Sequence, residues 1–204
     1  MTELVVGERM RAYYDRRARE YDDWWLGTGL FAARDRPGWH EDVAALVAAV
    51  AALPASRVLD VACGSGFLTR HLRGDVTALD QSEAMLDVAA RRAPAARLVR
   101  GEAVPLPFAD GAFDVVFTGH FYGHLAGDER QRFLREARRV APRLVVVDSA
   151  RRPGGPEEAW QERVLGDGSR HLVYKRWFTA EQLVAELGGG DVVHRGPWFM
   201  MVAA

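Results

Sequence analysis

The sequence predicts an α/β fold built on a parallel sheet with helices on both faces, and three observations carry that prediction. Short apolar runs alternate with segments of helical spacing from residue 58 to residue 149. Two of the runs, VLDVA and RLVVVD, are apolar nearly throughout, as strands buried on both faces are. A Gly-rich turn, CGSG, follows the first run directly. Such alternation implies βαβ units joined by right-handed crossovers.

Each element has its own signal. A charged segment bearing Tyr and Trp, residues 7–25, reads as a helix, and a Gly-rich break (GTGL, then RPG) follows it. Apolar spacing over 40–53 predicts a second helix, stopped by Pro54. VLDVA, DVTALD, ARLVRG, FDVVFTG and RLVVVDS read as strands. FLTRHL, SEAMLDVAARR and DERQRFLREARRV, lying between them, read as helices, with Ser82 capping the second and Asp128 the third. RRPGGPEE is a loop, followed by a short helix around Trp160 and another over 180–187. After GGG, VVHRGPWFMMV reads as two strands around a Gly-Pro turn. With no internal repeat and no low-complexity linker, 1–204 reads as a single domain with 1–36 as an N-terminal helical cap.

Composition narrows the function classes. A chain of 204 residues that is 49% hydrophobic can bury a full core. The net charge of −1 provides no footprint for a nucleic-acid backbone, and Lys175 is the only lysine. Cys63, the only cysteine, excludes both a disulfide framework and a cysteine zinc site within the chain. The N-terminus lacks an apolar signal core, and the longest apolar run, 43–53, is too short to span a bilayer. A cytoplasmic, soluble protein with no nucleic-acid or membrane partner is the expectation.

The Gly-rich turn raises the question of which nucleotide it serves. No Lys-Ser/Thr pair follows the glycines, which excludes a P-loop. Thr69 stands where the dinucleotide fingerprint needs its third glycine. Asp60, close to the turn, would repel a pyrophosphate and suits a ligand carrying an ammonium group. Asp80 ends the next strand, where its oxygens can accept both hydroxyls of a ribose. The ligand so described is a nucleoside with a cationic amino-acid tail.

At this point the residues reach a family. VLDVACGSGF, VTALDQSEAML and GEAVPLPFADGAFDVVFTGHFYGHL resemble, in order and spacing, the class I SAM-dependent methyltransferases. The resemblance lies with the small-molecule branch related to the quinone-biosynthesis enzymes and covers about 13–202. It implies a doubly wound, Rossmann-like sheet of seven strands, mainly parallel, with an antiparallel last strand. It also implies S-adenosylmethionine (SAM) as cofactor and S-adenosylhomocysteine (SAH) as product. Gly64, Ser65 and Gly66 would let the backbone approach the methionine part, with Ala62 in place of the first glycine of the usual motif. Asp60 would orient that turn and the amino group, and Asp80 would hold the ribose. Gln81, Met85, Gly101, Glu102 and Ala103 would flank the adenine, Glu102 accepting from its amino group. Thr118, Gly119 and His120 would lie against the methionyl group, and Tyr14 and Tyr21 would cover the cofactor from a mobile lid. The Pro-Gly-Gly turn usual before the fifth strand is missing.

The resemblance implies methyl transfer from SAM to an oxygen, nitrogen or carbon of a small molecule, catalysed mainly by positioning. A base is needed only if the acceptor binds protonated. His120, beside the expected methyl, is the candidate catalytic residue, either as base or as a group that holds the acceptor. His124 reads as structural. The pair lacks a carboxylate or cysteine at ligand spacing, so no metal is expected. His171, Tyr174 and Lys175 line either the pocket or a solvated strand. The alternative is a SAM-binding protein of the same fold that regulates, or that catalyses a reaction other than methylation. A nicotinamide oxidoreductase is disfavoured by Thr69 and Asp60, a nucleic-acid methyltransferase by the charge.

Overall fold

The computed structural model describes residues 2–204, with side chains from residue 7 onward. Seven strands form one sheet in the order β3-β2-β1-β4-β5-β9-β8. The parallel part comprises β1 (Ser56–Val61), β2 (Gly74–Asp80), β3 (Arg97–Arg100), β4 (Val115–Gly119) and β5 (Arg143–Ser149). The expected turn-back strand is β9 (Phe199–Ala203), antiparallel to both β5 and β8 (Asp191–Arg195). Strand order reverses between β1 and β4, so the carboxyl ends of those two strands flank the crevice where open α/β sheets bind ligands.

Period-two alternation sends successive side chains to two separate cores. Leu59, Val116, Val146 and Val202 pack with Phe133, Leu134 and Leu183 on one face, from α5 (Gly127–Val140) and α6 (Ala180–Glu186). Val58, Phe117, Val145 and Met201 pack with Leu46 and Val50 of α3 (Trp39–Ala51) on the other. Each such side chain contributes about 1.5–3 kcal/mol on burial. Across the α3 face, the buried Asp42 carboxylate accepts from the amides of Trp198 at 2.8 Å and Phe199 at 3.1 Å. That contact fixes the β8–β9 turn. As the sequence implied, only Ala141 and Pro142 separate α5 from β5.

Four local expectations need correction. FLTRHL is not a helix but a 3-10 turn, Thr69–His71. Six residues are too few to nucleate a helix when the chain must also re-enter the sheet. Gly74 does so at φ +104°, so close to Ser56 that an added Cβ would meet its carbonyl oxygen at 2.2 Å. The helix expected around Trp160 is a strand, β6 (Glu158–Val164), paired antiparallel with β7 (Arg170–Arg176). There EAWQERV alternates exposed and half-buried, and pairing along all seven residues overrides helical propensity. The helix expected over 7–25 divides into α1 (Thr2–Arg17) and a single turn, α2 (Asp23–Leu26), because Asp22 turns inward to the glycine loop. Finally, Ala126 rather than Asp128 stands at the start of α5, its amide donating to the Glu129 carboxylate at 2.7 Å. Ser82 caps α4 (Glu83–Arg92) as expected.

Candidate cofactor site and adjoining cavity

The turn after β1 is a run of left-handed backbone: φ is +56° at Ala62, +54° at Gly64 and +74° at Gly66. Only Gly66 is sterically obliged, since a Cβ there would meet Ala89 Cα of α4 at 3.2 Å. At Gly64 the nearest atoms belong to the Tyr21 ring, 3.6 Å from an added Cβ, so the ring lies over the open backbone. Asp80 fastens this turn: its Oδ2 accepts from the Gly64 amide at 2.8 Å and its Oδ1 from the Ser82 amide at 2.9 Å. Asp60, which the resemblance implies would orient the turn and the amino group, accepts from Thr69 Oγ1 at 2.6 Å. That contact also explains why threonine stands in the third-glycine position.

Both carboxylates are buried, and no cationic side chain of the described residues pairs with either. Burial, opposed by the Thr69 hydrogen bond, pushes Asp60 up to about 7. Burial, opposed by the backbone donors, pushes Asp80 up to about 6. Two buried acids short of a cation, beside a glycine turn with open backbone, fit a ligand with an ammonium group and a diol. The sign of the resulting pH effect follows. Folded-state values lie above the unfolded value of about 3.9, so the native state binds more protons than the unfolded chain. Stability from these groups is therefore full at low pH and is lost as pH rises from about 4 to about 7. In ligand-free protein, the melting temperature of Asp60→Asn should exceed that of the parent by a margin that widens across this interval. A constant margin would show that Asp60 is not held protonated.

Around this turn the remaining candidates separate. Gly101 donates its amide to the Asp80 carbonyl at 3.0 Å, bringing Gly101, the exposed Glu102 and Ala103 beside the half-buried Gln81. Met85, in the first turn of α4, is fully buried. The Thr118 hydroxyl donates across the sheet to the Val61 carbonyl at 2.9 Å, which leaves only its backbone for a ligand. Gly119 leaves room for Leu68, whose Cδ1 would be 2.9 Å from a Cβ there.

The N-terminal segment is latched over the site. Ser65 Oγ donates to Asp22 at 2.6 Å, and Arg92 bridges both residues, donating to Ser65 Oγ at 3.0 Å and pairing with Asp22. Ser82 Oγ donates to Asp15 of α1 at 2.5 Å while capping α4. Tyr14 and Tyr21 lie with ring centroids 6.3 Å apart, and burial raises both phenols, Tyr21 to about 12.

Tyr14, Tyr21 and His120 also line a cavity of about 880 Å³. His120 adopts φ +57° just beyond β4, its amide donating to the Val147 carbonyl at 2.8 Å. Its ring packs edge-on against Trp24 and Trp25, centroids 4.8 and 4.9 Å away. Nδ1 lies 3.4 Å from Ser149 Oγ, and Nε2 has no partner among the described residues. Burial, aided by Lys175 and Arg163, pushes the imidazolium down to about 3, against the attraction of Asp148. The ring is therefore neutral at physiological pH and a poor proton acceptor. His124 is structural, its Nδ1 2.7 Å from the Tyr174 carbonyl. Lys175 reaches the cavity floor in a buried pair with Asp148, whereas the Tyr174 hydroxyl turns outward to Glu158. His171 packs on the Tyr13 ring at 5.0 Å.

Sequence reasoning missed Arg17, Arg163, Trp24 and Ser149 in the cavity wall. Arg163 had a legible signal in the alternation of EAWQERV; the others depend on chain crossings that no local pattern reports.

Comparison with known proteins agrees with this geometry. Residues 59–143 match the family described as "Methyltransferase domain". A demethylmenaquinone methyltransferase of Renibacterium salmoninarum is 39% identical over 155 residues, covering 73% of this chain and 62% of the relative. The chain thus spans about three fifths of that relative's length. Among solved structures, DhpI in complex with SAH superposes with TM-score 0.72 at 27% identity, covering 96% of this chain and 94% of that one. DhpI with SAM and HEP gives TM-score 0.74 at 25% identity, covering 100% and 99%. Sheet order, glycine turn and these matches together support a class I SAM-dependent methyltransferase related to the quinone methyltransferases.

Proposed function

We propose that the chain transfers the methyl group of SAM to a small-molecule nucleophile and releases SAH. The observation that carries this reading is the junction of two spaces. A glycine turn beside two buried, cation-free carboxylates lies under the Tyr21 ring, which also lines a cavity large enough for a second reactant. When bound, SAM supplies a methyl group already activated by its sulfonium. The chain's own residues then bind and align. Asp80 and Asp60 hold the ribose and the amino group, and Glu102 holds the adenine. The rings of Tyr14 and Tyr21 exclude water and face the positive charge. His120, neutral and with Nε2 unpartnered, holds the acceptor as a hydrogen-bonding group rather than as a base.

Calorimetry with SAM, SAH and NAD tests the first half. SAM and SAH should bind at micromolar levels and NAD should not; tighter binding of NAD would end this reading. Transfer of labelled methyl to a small-molecule extract tests the second half. SAM binding without transfer would favour a regulator of the same fold.

A further inference from the structure

Resting on that proposed activity, the cavity wall also specifies the chemical class of its second reactant. Five arginines line the cavity, Arg17, Arg34, Arg36, Arg152 and Arg163, against two glutamates. Both glutamates are already engaged. Glu20 accepts from the Gly166 amide at 2.9 Å, and Glu162 pairs with Arg170 at 2.7 Å on the outer face of the hairpin. Among the described residues none of the five arginines meets a carboxylate, although Arg57, Arg92, Arg130 and Arg139 elsewhere all do. Arg17 is only 7% exposed, yet its guanidinium meets only neutral groups, the Tyr13 hydroxyl at 2.8 Å and the Tyr13 and Tyr21 rings, centroids 5.7 and 4.8 Å away. Arg163 lies on the inward-facing register of β6, and its charge is felt at Tyr14, Tyr21, His120 and Lys175. A buried guanidinium without an anion is costly, and a second one aimed into the same space adds repulsion.

We infer that the acceptor is a small oxyanion, a carboxylate or a phosphate-type group, held by Arg17 and Arg163 and methylated on oxygen. A lone pair of the oxyanion forms the new O–CH3 bond as the C–S bond breaks, and that bond's electrons stay on sulfur. The acceptor loses one negative charge, the sulfonium loses its positive charge, and no proton moves. This chemistry needs no base, in keeping with the neutral ring of His120. The arginines at the mouth, Arg34, Arg36 and Arg152, draw such an anion in. Trp24, Trp39 and Trp198 supply apolar walls for its body.

The test uses the full chain saturated with SAH and titrated with inorganic phosphate, benzoate and neutral benzamide, followed by tryptophan fluorescence and calorimetry. Benzoate or phosphate should bind, and more weakly as salt is raised. Phosphate alone would place the acceptor among phosphate-type esters, benzoate alone among carboxylic acids. Benzamide should bind at least about tenfold more weakly than the bound anion. Arg163→Gln should weaken anion binding by about 10- to 100-fold with SAH affinity kept, and Arg163→Lys should recover part of the loss. Neither anion binding in the millimolar range, benzamide matching the anions, or Arg163→Gln binding as well as the parent would each overturn the inference. Failure of the parent protein to bind SAH would instead overturn the proposed activity, and the inference with it.

Discussion

Replacing Asp80 with alanine is expected to lower SAH affinity by about 10²–10⁴-fold. A ribose diol on this carboxylate makes two charge-assisted hydrogen bonds, worth about 1.5–3 kcal/mol each. The substitution has a second effect, because Asp80 also holds the Gly64 and Ser82 amides at 2.8 and 2.9 Å. Losing those contacts frees the left-handed turn that has to lie against the ligand. Asp80→Asn keeps an acceptor oxygen and should lose less. Calorimetry with SAH, alongside circular dichroism to verify folding, separates these effects. A folded Asp80→Ala protein that binds SAH within threefold of the parent would remove Asp80 from the site.

The largest effect on stability is expected at Asp148. This side chain is wholly buried, pairs with the buried Lys175 ammonium and accepts from the Gly123 amide at 2.7 Å. Asp148→Ala takes the Asp148 carboxylate from the buried Lys175 ammonium and from two backbone donors, the Gly123 and Ser149 amides, at a cost of about 3–5 kcal/mol. For a chain of this size, that corresponds to a melting temperature lower by about 6–20 °C. Lys175→Met leaves Asp148 with the Gly123 and Ser149 amides and should cost less. Adding Lys175→Met to Asp148→Ala should restore part of the loss, because the stranded ammonium is gone. Urea denaturation of the four proteins closes the cycle. Additive losses would mean that the pair contributes nothing as a pair.

Much of the scaffold was legible because its signals are local. The five parallel strands, α3, α4, α5 and the β8–β9 turn-back all carry apolar periodicity or turn residues that act within a few positions. Ser82 was readable for the same reason: a cap works within its own first turn. The misreadings lie where distant partners decide. EAWQERV becomes a strand only because residues 170–176 lie beside it, and FLTRHL is cut short by the return of Gly74 to Ser56. At the site, the glycine turn and its two acids could be read from spacing alone. The hydrogen bond to Asp60 from Thr69, nine residues away, is a contact that spacing does not report. The arginine wall drew no notice because solvated arginines look the same in a sequence as buried ones.

The latch across the N-terminal segment bears on timing. Asp22 with Ser65 and Arg92, and Asp15 with Ser82, tie the covering segment to the loops that would hold SAM. Release of SAH has to wait for both contacts to open, so residence time rather than bond making should set the cycle rate. Asp22→Ala should raise the SAH dissociation rate in stopped-flow by about tenfold, its lost contacts to Ser65 and Arg92 together being worth about 1.4 kcal/mol. Bound SAH should in turn slow amide exchange over residues 13–25. An unchanged dissociation rate in Asp22→Ala would mean that the segment rides on the site without governing how long its occupant stays.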